Sequence, residues 1–136
     1  MDTNLPTETQ TPRIVALNRD VFFGVKLSNL AKALGYDLAL VPNVAAVDAA
    51  LTESAEAVAL VIIDMNVLDE SIDWSALAAI IGANPGIPTL GFGSHTDVDS
   101  RRAAKGTGLT RIVSNGDFHR NAPDLVQRYA RAIETT

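Results

Sequence analysis

The sequence predicts an α/β domain in which five parallel strands form a sheet covered on both faces by five helices. Three observations lead there. Short runs rich in Val, Ile and Leu alternate with longer stretches whose apolar residues follow a helical spacing. Successive strand–helix units of this kind close into a parallel sheet through right-handed crossovers. At 136 residues the chain has the length of one domain with a real core, and a second folded module is not expected.

Each element follows from local pattern. Residues 1–12, "MDTNLPTETQTP", are rich in Thr and Pro without apolar periodicity, which predicts a flexible tail ahead of a folded unit over 13–136. "RIVAL" reads as the first strand. A helix follows from about Val21 to Leu34, with Val21, Phe22, Val25, Leu30 and Leu34 at helical spacing and Gly35 as its stop. "DLALV" is the second strand and "NVAAVDAALTESA" the second helix, capped by Asn43. From Ala57 to Ile63 no residue is polar, the pattern of a strand buried on both faces. "DWSALAAIIGANPG" is a third helix closed by Gly, Asn and Pro, with Trp74 expected in core or edge packing. "IPTLGFG" is the fourth strand, "DVDSRRAAKGTG" the fourth helix and "TRIVS" the fifth strand. The last helix, "DFHRNAPDLVQRYARAIE", contains Pro123, which cannot sit deep in a helix. Either residues 117–121 form a separate turn, or Pro123 occupies the first helical turn.

Composition narrows the function classes. With 47% hydrophobic and 20% charged residues the chain is an ordinary globular one. It has no cysteine, which removes disulfides and thiolate metal sites and fits a reducing compartment. No apolar run reaches the span of a membrane helix, and the polar N-terminus lacks a basic leader, so a cytoplasmic location and no membrane partner are expected. A net charge of −5 argues against general nucleic-acid binding. The charge is unevenly spread: residues 1–96 carry four basic against eleven acidic side chains, residues 97–136 seven basic against five acidic. An acidic partner should therefore meet the C-terminal third.

The first polar group after the long apolar run is Asp64, where the strand should leave the sheet. In open parallel sheets ligands and chemistry sit just outside the carboxyl ends of the strands; the bland alternative is a carboxylate capping the next turn. "GFGSHTD" has too few glycines for a dinucleotide or phosphate loop, and no nucleophile elbow, zinc motif or catalytic triad occurs. His95 falls at the end of the fourth strand, in the same expected mouth as Asp64 and Asp20; the simpler reading is a loop residue that hydrogen-bonds backbone. His119 reads as a surface helix residue, and two dispersed histidines do not make a metal site.

In order and length the chain resembles a response-regulator receiver domain, and "LVIIDMN" resembles the third-strand motif that carries the receiver phosphoacceptor. The resemblance implies a flavodoxin-like three-layer sandwich with strand order 2-1-3-4-5. It maps Asp64 onto the phosphoacceptor and Asn66 onto the residue whose backbone carbonyl helps hold Mg²⁺. The remaining site departs from the pattern. Where receivers place two acidic residues after the first strand, this chain has Asn18 and Arg19, then Asp20. Gly93 stands in place of the Thr or Ser of strand four, with Ser94 beside it. Ser114 or Asn115 stands in place of the Lys after strand five. The arrangement is also similar to small stand-alone receiver-like bacterial proteins.

The expectation is thus a degenerate receiver, a pseudo-receiver, that is not an enzyme, has no cofactor and acts by contact with a protein partner or by self-association. Arg19 brings positive charge to the mouth, and pairing with Asp64 would occupy its oxygens and favour its ionised form. Ser94 would either supply the missing hydroxyl or cap the helix starting near Asp97. Arg101, Arg102, Lys105, Arg111, Arg128 and Arg131 fall on the fourth helix, the fifth strand and the last helix. A solvated face is the simpler reading of these charges; their mixture with Leu125, Val126 and Tyr129 also fits an interface, and the resemblance implies that this is the face on which receivers dimerise or meet an output partner. One alternative is a working single-domain response regulator phosphorylated on Asp64, which would need Mg²⁺. The other is a small-molecule sensor or enzyme using the mouth near Asp20, Asp64 and His95.

Overall fold

A computed structural model describes residues 11–68, 71–94 and 96–133. Five strands, β1 (Arg13–Leu17), β2 (Asp37–Val41), β3 (Val58–Asp64), β4 (Thr89–Gly93) and β5 (Arg111–Ser114), are all parallel, in the order β2-β1-β3-β4-β5. Five α-helices connect or follow them: α1 (Val21–Leu34), α2 (Val44–Ser54), α3 (Ser71–Ala83), α4 (Val98–Thr107) and α5 (Asn115–Tyr129). The parallel sheet covered by helices is what the alternating pattern predicted, and its order is the flavodoxin-like one that the resemblance implied.

All seven residues of β3 are buried, as an unbroken apolar run requires of a central strand. Its side chains alternate between two cores. Val61 and Ile63 join Val15 and Leu17 under α2 and α3, where Val47, Leu51 and Leu77 pack, with Ala104 of α4 in the same cluster. Leu60 and Ile62 join Ile14 and Ala16 under α1 and α5, with Leu27, Phe118 and Val126. The second core is aromatic: Phe92 stacks on Phe118 with centroids 4.4 Å apart, and Phe23 meets both edge-on. Trp74 is half-buried against the first core, as expected.

Helix ends follow their side-chain chemistry. Gly35 takes the left-handed conformation (φ 87°) that stops α1, and Tyr36 N–H donates to the Ala31 carbonyl at 2.8 Å. Asn43 caps α2, its Oδ1 accepting from Ala46 N–H at 2.8 Å. The cap of α4 is Asp97, whose carboxylate accepts from Ser100 N–H and Oγ and is thereby held below the usual carboxylate pKa. Ser94 takes no part in that cap and pairs instead with Thr96 Oγ1 at 2.8 Å.

Two expectations change. In α1 the outward side holds Val21, Phe22 and Val25, at 77%, 88% and 57% exposure, and the core side is Gly24, Leu27 and Ala31. Gly24 eases this: a Cβ there would come within 3.1 Å of Leu40 Cδ1, so glycine lets the helix approach β2 without displacing that side chain. In α5 both readings of Pro123 hold in part. The helix begins at Asn115 under a Ser114 cap, breaks at Asn121 (φ −122°, ψ 19°), and resumes with Pro123 in the first turn of its second half.

Candidate functional site

Asp64 is the last residue of the central strand, 6% exposed, beside Phe92 in the β3–β4 register. One oxygen, Oδ1, accepts from the backbone N–H of Asn66 at 3.0 Å and from its side-chain Nδ2 at 2.8 Å, which fixes the short turn Met65–Val67. The same Nδ2 donates to Asn115 Oδ1 at 3.0 Å. A neutral amide chain therefore runs from the end of β3 to the start of α5. Burial raises the Asp64 pKa above its ordinary 3.8; the Asn66 bonds pull it back, Asp20 repels the charge and His119 attracts it, and the balance stays upward.

The loop after β1 is built around its own backbone. Asn18 is buried, its Nδ2 donating to the Asp20 carbonyl at 2.8 Å while its Oδ1 accepts from Asp20 N–H. Asp20 is the cap of α1: its Oδ1 accepts from Phe22 and Phe23 N–H at 2.9 and 3.3 Å. Arg19 is exposed and donates through Nη2 to the Val67 carbonyl at 2.8 Å. It thus pins the turn after Asp64, and its hydrogen bond goes to that backbone carbonyl and not to the Asp64 carboxylate. A hollow of about 400 Å³ beside this loop is lined by Asn18, Arg19, Asp20 and the exposed Val21, Val25 and Leu40, and Asp64 is not part of its wall.

On the other side of Asp64 the β4 glycines are filled by Met65. A Cβ on Gly93 would lie 2.9 Å from Met65 Cε, and one on Gly91 would lie 3.1 Å from Met65 Sδ. Gly93 pairs in register with Ser114, whose hydroxyl accepts from Asp117 N–H at 3.1 Å as the α5 cap. The structure therefore gathers Asn18, Asp20, Asp64, Asn66, Gly93, Ser114 and Asn115 at the carboxyl end of the sheet. It turns Arg19 and Ser94 to local backbone and hydroxyl partners. His95 lies outside the described residues.

The two residues that pattern reading missed are Met65 and His119. His119 is exposed as expected, yet its ring meets Phe23 edge-on at 4.9 Å. The signal lay in "DFHR", one residue from a core Phe.

No group of three His, Cys, Asp or Glu side chains able to hold a metal occurs among the described residues. The donors that could contribute to Mg²⁺ are partly engaged: one oxygen of Asp64 holds the Asn66 turn and one of Asp20 caps α1, while Asn18 puts an amide where a carboxylate would serve. This donor set fits the ion poorly.

On the α4–β5–α5 face, Arg102, Lys105, Arg111 and Arg128 are exposed, and Leu125 and Tyr129 are half-buried against the aromatic core. Arg101 is half-buried, its Nη1 shielded from solvent without a hydrogen-bond partner among the described residues. Two members of the wider set do not belong to a surface. Val126 is fully buried, and Arg131 turns inward to the base of the sheet.

No family model matches the sequence, and no curated protein matches it. Solved structures match the fold. Chemotaxis protein CheY4 of Vibrio cholerae superposes with a TM-score of 0.71 at 14% identity, over 88% of this chain and 98% of that one. The signal receiver domain of an HD domain-containing protein from Pseudomonas fluorescens gives 0.66 at 22% identity, over 91% and 90%. The CheY-like protein TadZ of Pseudomonas aeruginosa gives 0.67 at 18%, over 86% and 98%. At these identities the likeness concerns the fold.

Proposed function

We propose that this chain is a degenerate receiver-like signalling module that works by protein–protein contact, without phosphorylation of Asp64 and without a resident Mg²⁺. The observation that supports this reading best is the Asp64–Asn66–Asn115 chain. In the receivers that this chain resembles, a lysine after strand five meets the phosphoryl group. Here that end of the site is neutral amide and hydroxyl, and the hydroxyl is already used to cap α5. Phosphoryl transfer depends on charge stabilisation around the moving group, and the loss of one such donor costs about 2.7–4 kcal/mol in other enzymes. Gly93, closed over by Met65, offers no hydroxyl either.

The contact surface in this reading is formed by α4, β5 and α5, with Arg102, Lys105, Arg111 and Arg128 outward, Arg101 half-sunk, and Leu125 and Tyr129 between them. A basic rim around half-buried apolar groups suits an acidic protein partner or a second copy with complementary charge. Intact-mass spectrometry after acetyl phosphate or beryllofluoride with Mg²⁺ tests the chemistry. The expected result is no adduct and no change in Trp74 fluorescence. A single adduct that disappears in Asp64→Asn would overturn the reading in favour of a working regulator.

A further inference from the structure

A second recess lies away from the Asp64 mouth, between α1 and α5, with a volume of about 320 Å³. It sits beside the break in α5, and the break is its physical origin. Pro123 has no N–H to give the carbonyl of His119 four residues back, and its ring pushes against that carbonyl. The helix therefore gives way at Asn121, and Ala122 and Pro123 line the opening.

Its floor is apolar: Phe23, Leu27, Leu30 and Phe118. Leu27 and Phe118 belong to the buried core, so the floor is rigid, held by the Phe23–Phe118 edge contact at 5.7 Å. Its rim carries two cations, Lys26 and Arg120, and the imidazole of His119, and no carboxylate lines it. That is unusual in a chain with a net charge of −5. The volume is at the lower end of the ligand-pocket range of about 300–1,000 Å³, which suits one ring or a short acyl chain.

We propose that this recess binds a small amphipathic carboxylate, its acyl or aryl body on the Phe23–Phe118 floor and its anionic head among the Lys26, His119 and Arg120 side chains. The apolar body removes floor area from water, and the head forms charge-assisted hydrogen bonds with Lys26 and Arg120. The site is independent of the signalling role proposed above; His119 forms part of this rim.

Octanoate and octanol are the probes, since they share a chain and differ in charge. Octanoate should produce saturable shifts in the backbone amide NMR signals of Phe23, Leu30 and Ala122, with a dissociation constant of about 1 mM or tighter. Octanol should bind about tenfold more weakly. Lys26→Glu with Arg120→Glu, both at exposed positions, should weaken octanoate about tenfold and leave octanol unchanged. Ala122→Phe should fill the recess and abolish both, and the same spectra report whether that variant is folded. No saturable shifts, shifts centred elsewhere, or equal losses for both probes in the charge-reversed protein would overturn the proposal. Should Ala122→Phe fail to fold, the charge-reversed pair alone decides it.

Discussion

The two ends of β3 each carry one charged side chain, and the surrounding backbone treats them in opposite ways. At the amino end Arg131 donates through Nε to the Val58 carbonyl, through Nη2 to Ala55 and through Nη1 to Gly86, at 2.9, 2.8 and 3.3 Å, while its own N–H donates to Ala59. Every nitrogen of the guanidinium has a fixed partner on main chain. At the carboxyl end Asp64 is more deeply buried, yet its only hydrogen bonds from described residues come from Asn66, both to one oxygen, and its charge is disfavoured where it stands. A charge fully matched by main chain is a fastener. A charge that is buried and under-matched makes Asp64 a candidate functional position.

The largest expected effect tests the fastener. Arg131→Ala leaves three strand and loop carbonyls without their charged donor, and hydrogen bonds to charged groups contribute about 1.5–3 kcal/mol each before water replaces part of the loss. A fall of about 3 kcal/mol in unfolding free energy is expected from urea denaturation. Arg131→Lys should recover less than half of it, because an ammonium cannot span three carbonyls as the planar fork does. A loss under about 1 kcal/mol for the alanine variant would place Arg131 among ordinary surface charges.

Sequence pattern located most of the fold because periodicity and stop residues are local: the helix limits at Leu34 and Gly35, the Asn43 cap and the β3 run are all written in neighbouring residues. It misassigned what depends on distant chain. Arg131 meets Ala55 and Val58, more than 70 residues away, and in sequence it is one more cation after Arg128. Arg19 reaches Val67 across 48 residues, a carbonyl that no pattern announces. The outward side of α1 was misread because Val21, Phe22 and Val25 are as apolar as core residues, and only the glycine at position 24 indicates which side lies against β2. The site was legible as a place, the end of β3, but not as a set of bonds.

The second effect concerns the carboxyl end. If Asp64 is unphosphorylated, as proposed, because charges are missing around it, Asn18→Asp with Ser114→Lys should raise labelling by acetyl phosphate with Mg²⁺ about a hundredfold over the parent, the usual scale for one transition-state donor. The change has a structural cost, since Ser114 caps α5 and its loss should cost about 1 kcal/mol. A folded double variant that is still unlabelled would point to Gly93, where a side chain would require Met65 to shift.

A smaller effect reads the mismatch at Asp64 directly. Its folded pKa lies above the unfolded value near 3.8, so the folded state holds the proton more tightly. The stability this group contributes is complete below the unfolded value and is lost as pH rises through the folded one. Asp64→Asn keeps an oxygen for the Asn66 donors and has no charge to desolvate, so it should be more stable than the parent at neutral pH. The difference should close on acidification. Denaturation at a series of pH values measures it, and a variant less stable than the parent at neutral pH would mean that the ionised carboxylate has a cationic partner.

The smallest effect on the fold should come from the outer surface, where charges have neither the matching of Arg131 nor the burial of Asp64. Arg102 and Arg128 are exposed, and exposed charges contribute at most about 1 kcal/mol each to stability, so reversing both to Glu should leave thermal unfolding nearly unchanged. Arg101 is the wrong choice for this test, because its half-buried guanidinium would confound surface charge with packing. If α4, β5 and α5 form the contact surface, the Arg102→Glu, Arg128→Glu protein should lose self-association in sedimentation velocity, or capture of a partner on which the parent acts. The loss should be larger at low salt, where long-range attraction still guides the encounter, than at high salt, where screening has already removed it. Association that is unaltered at every salt concentration would move the contact surface off this face. The exposed Val21, Phe22 and Val25 of α1 would then be the next surface to test, because their contribution would be apolar and would survive screening.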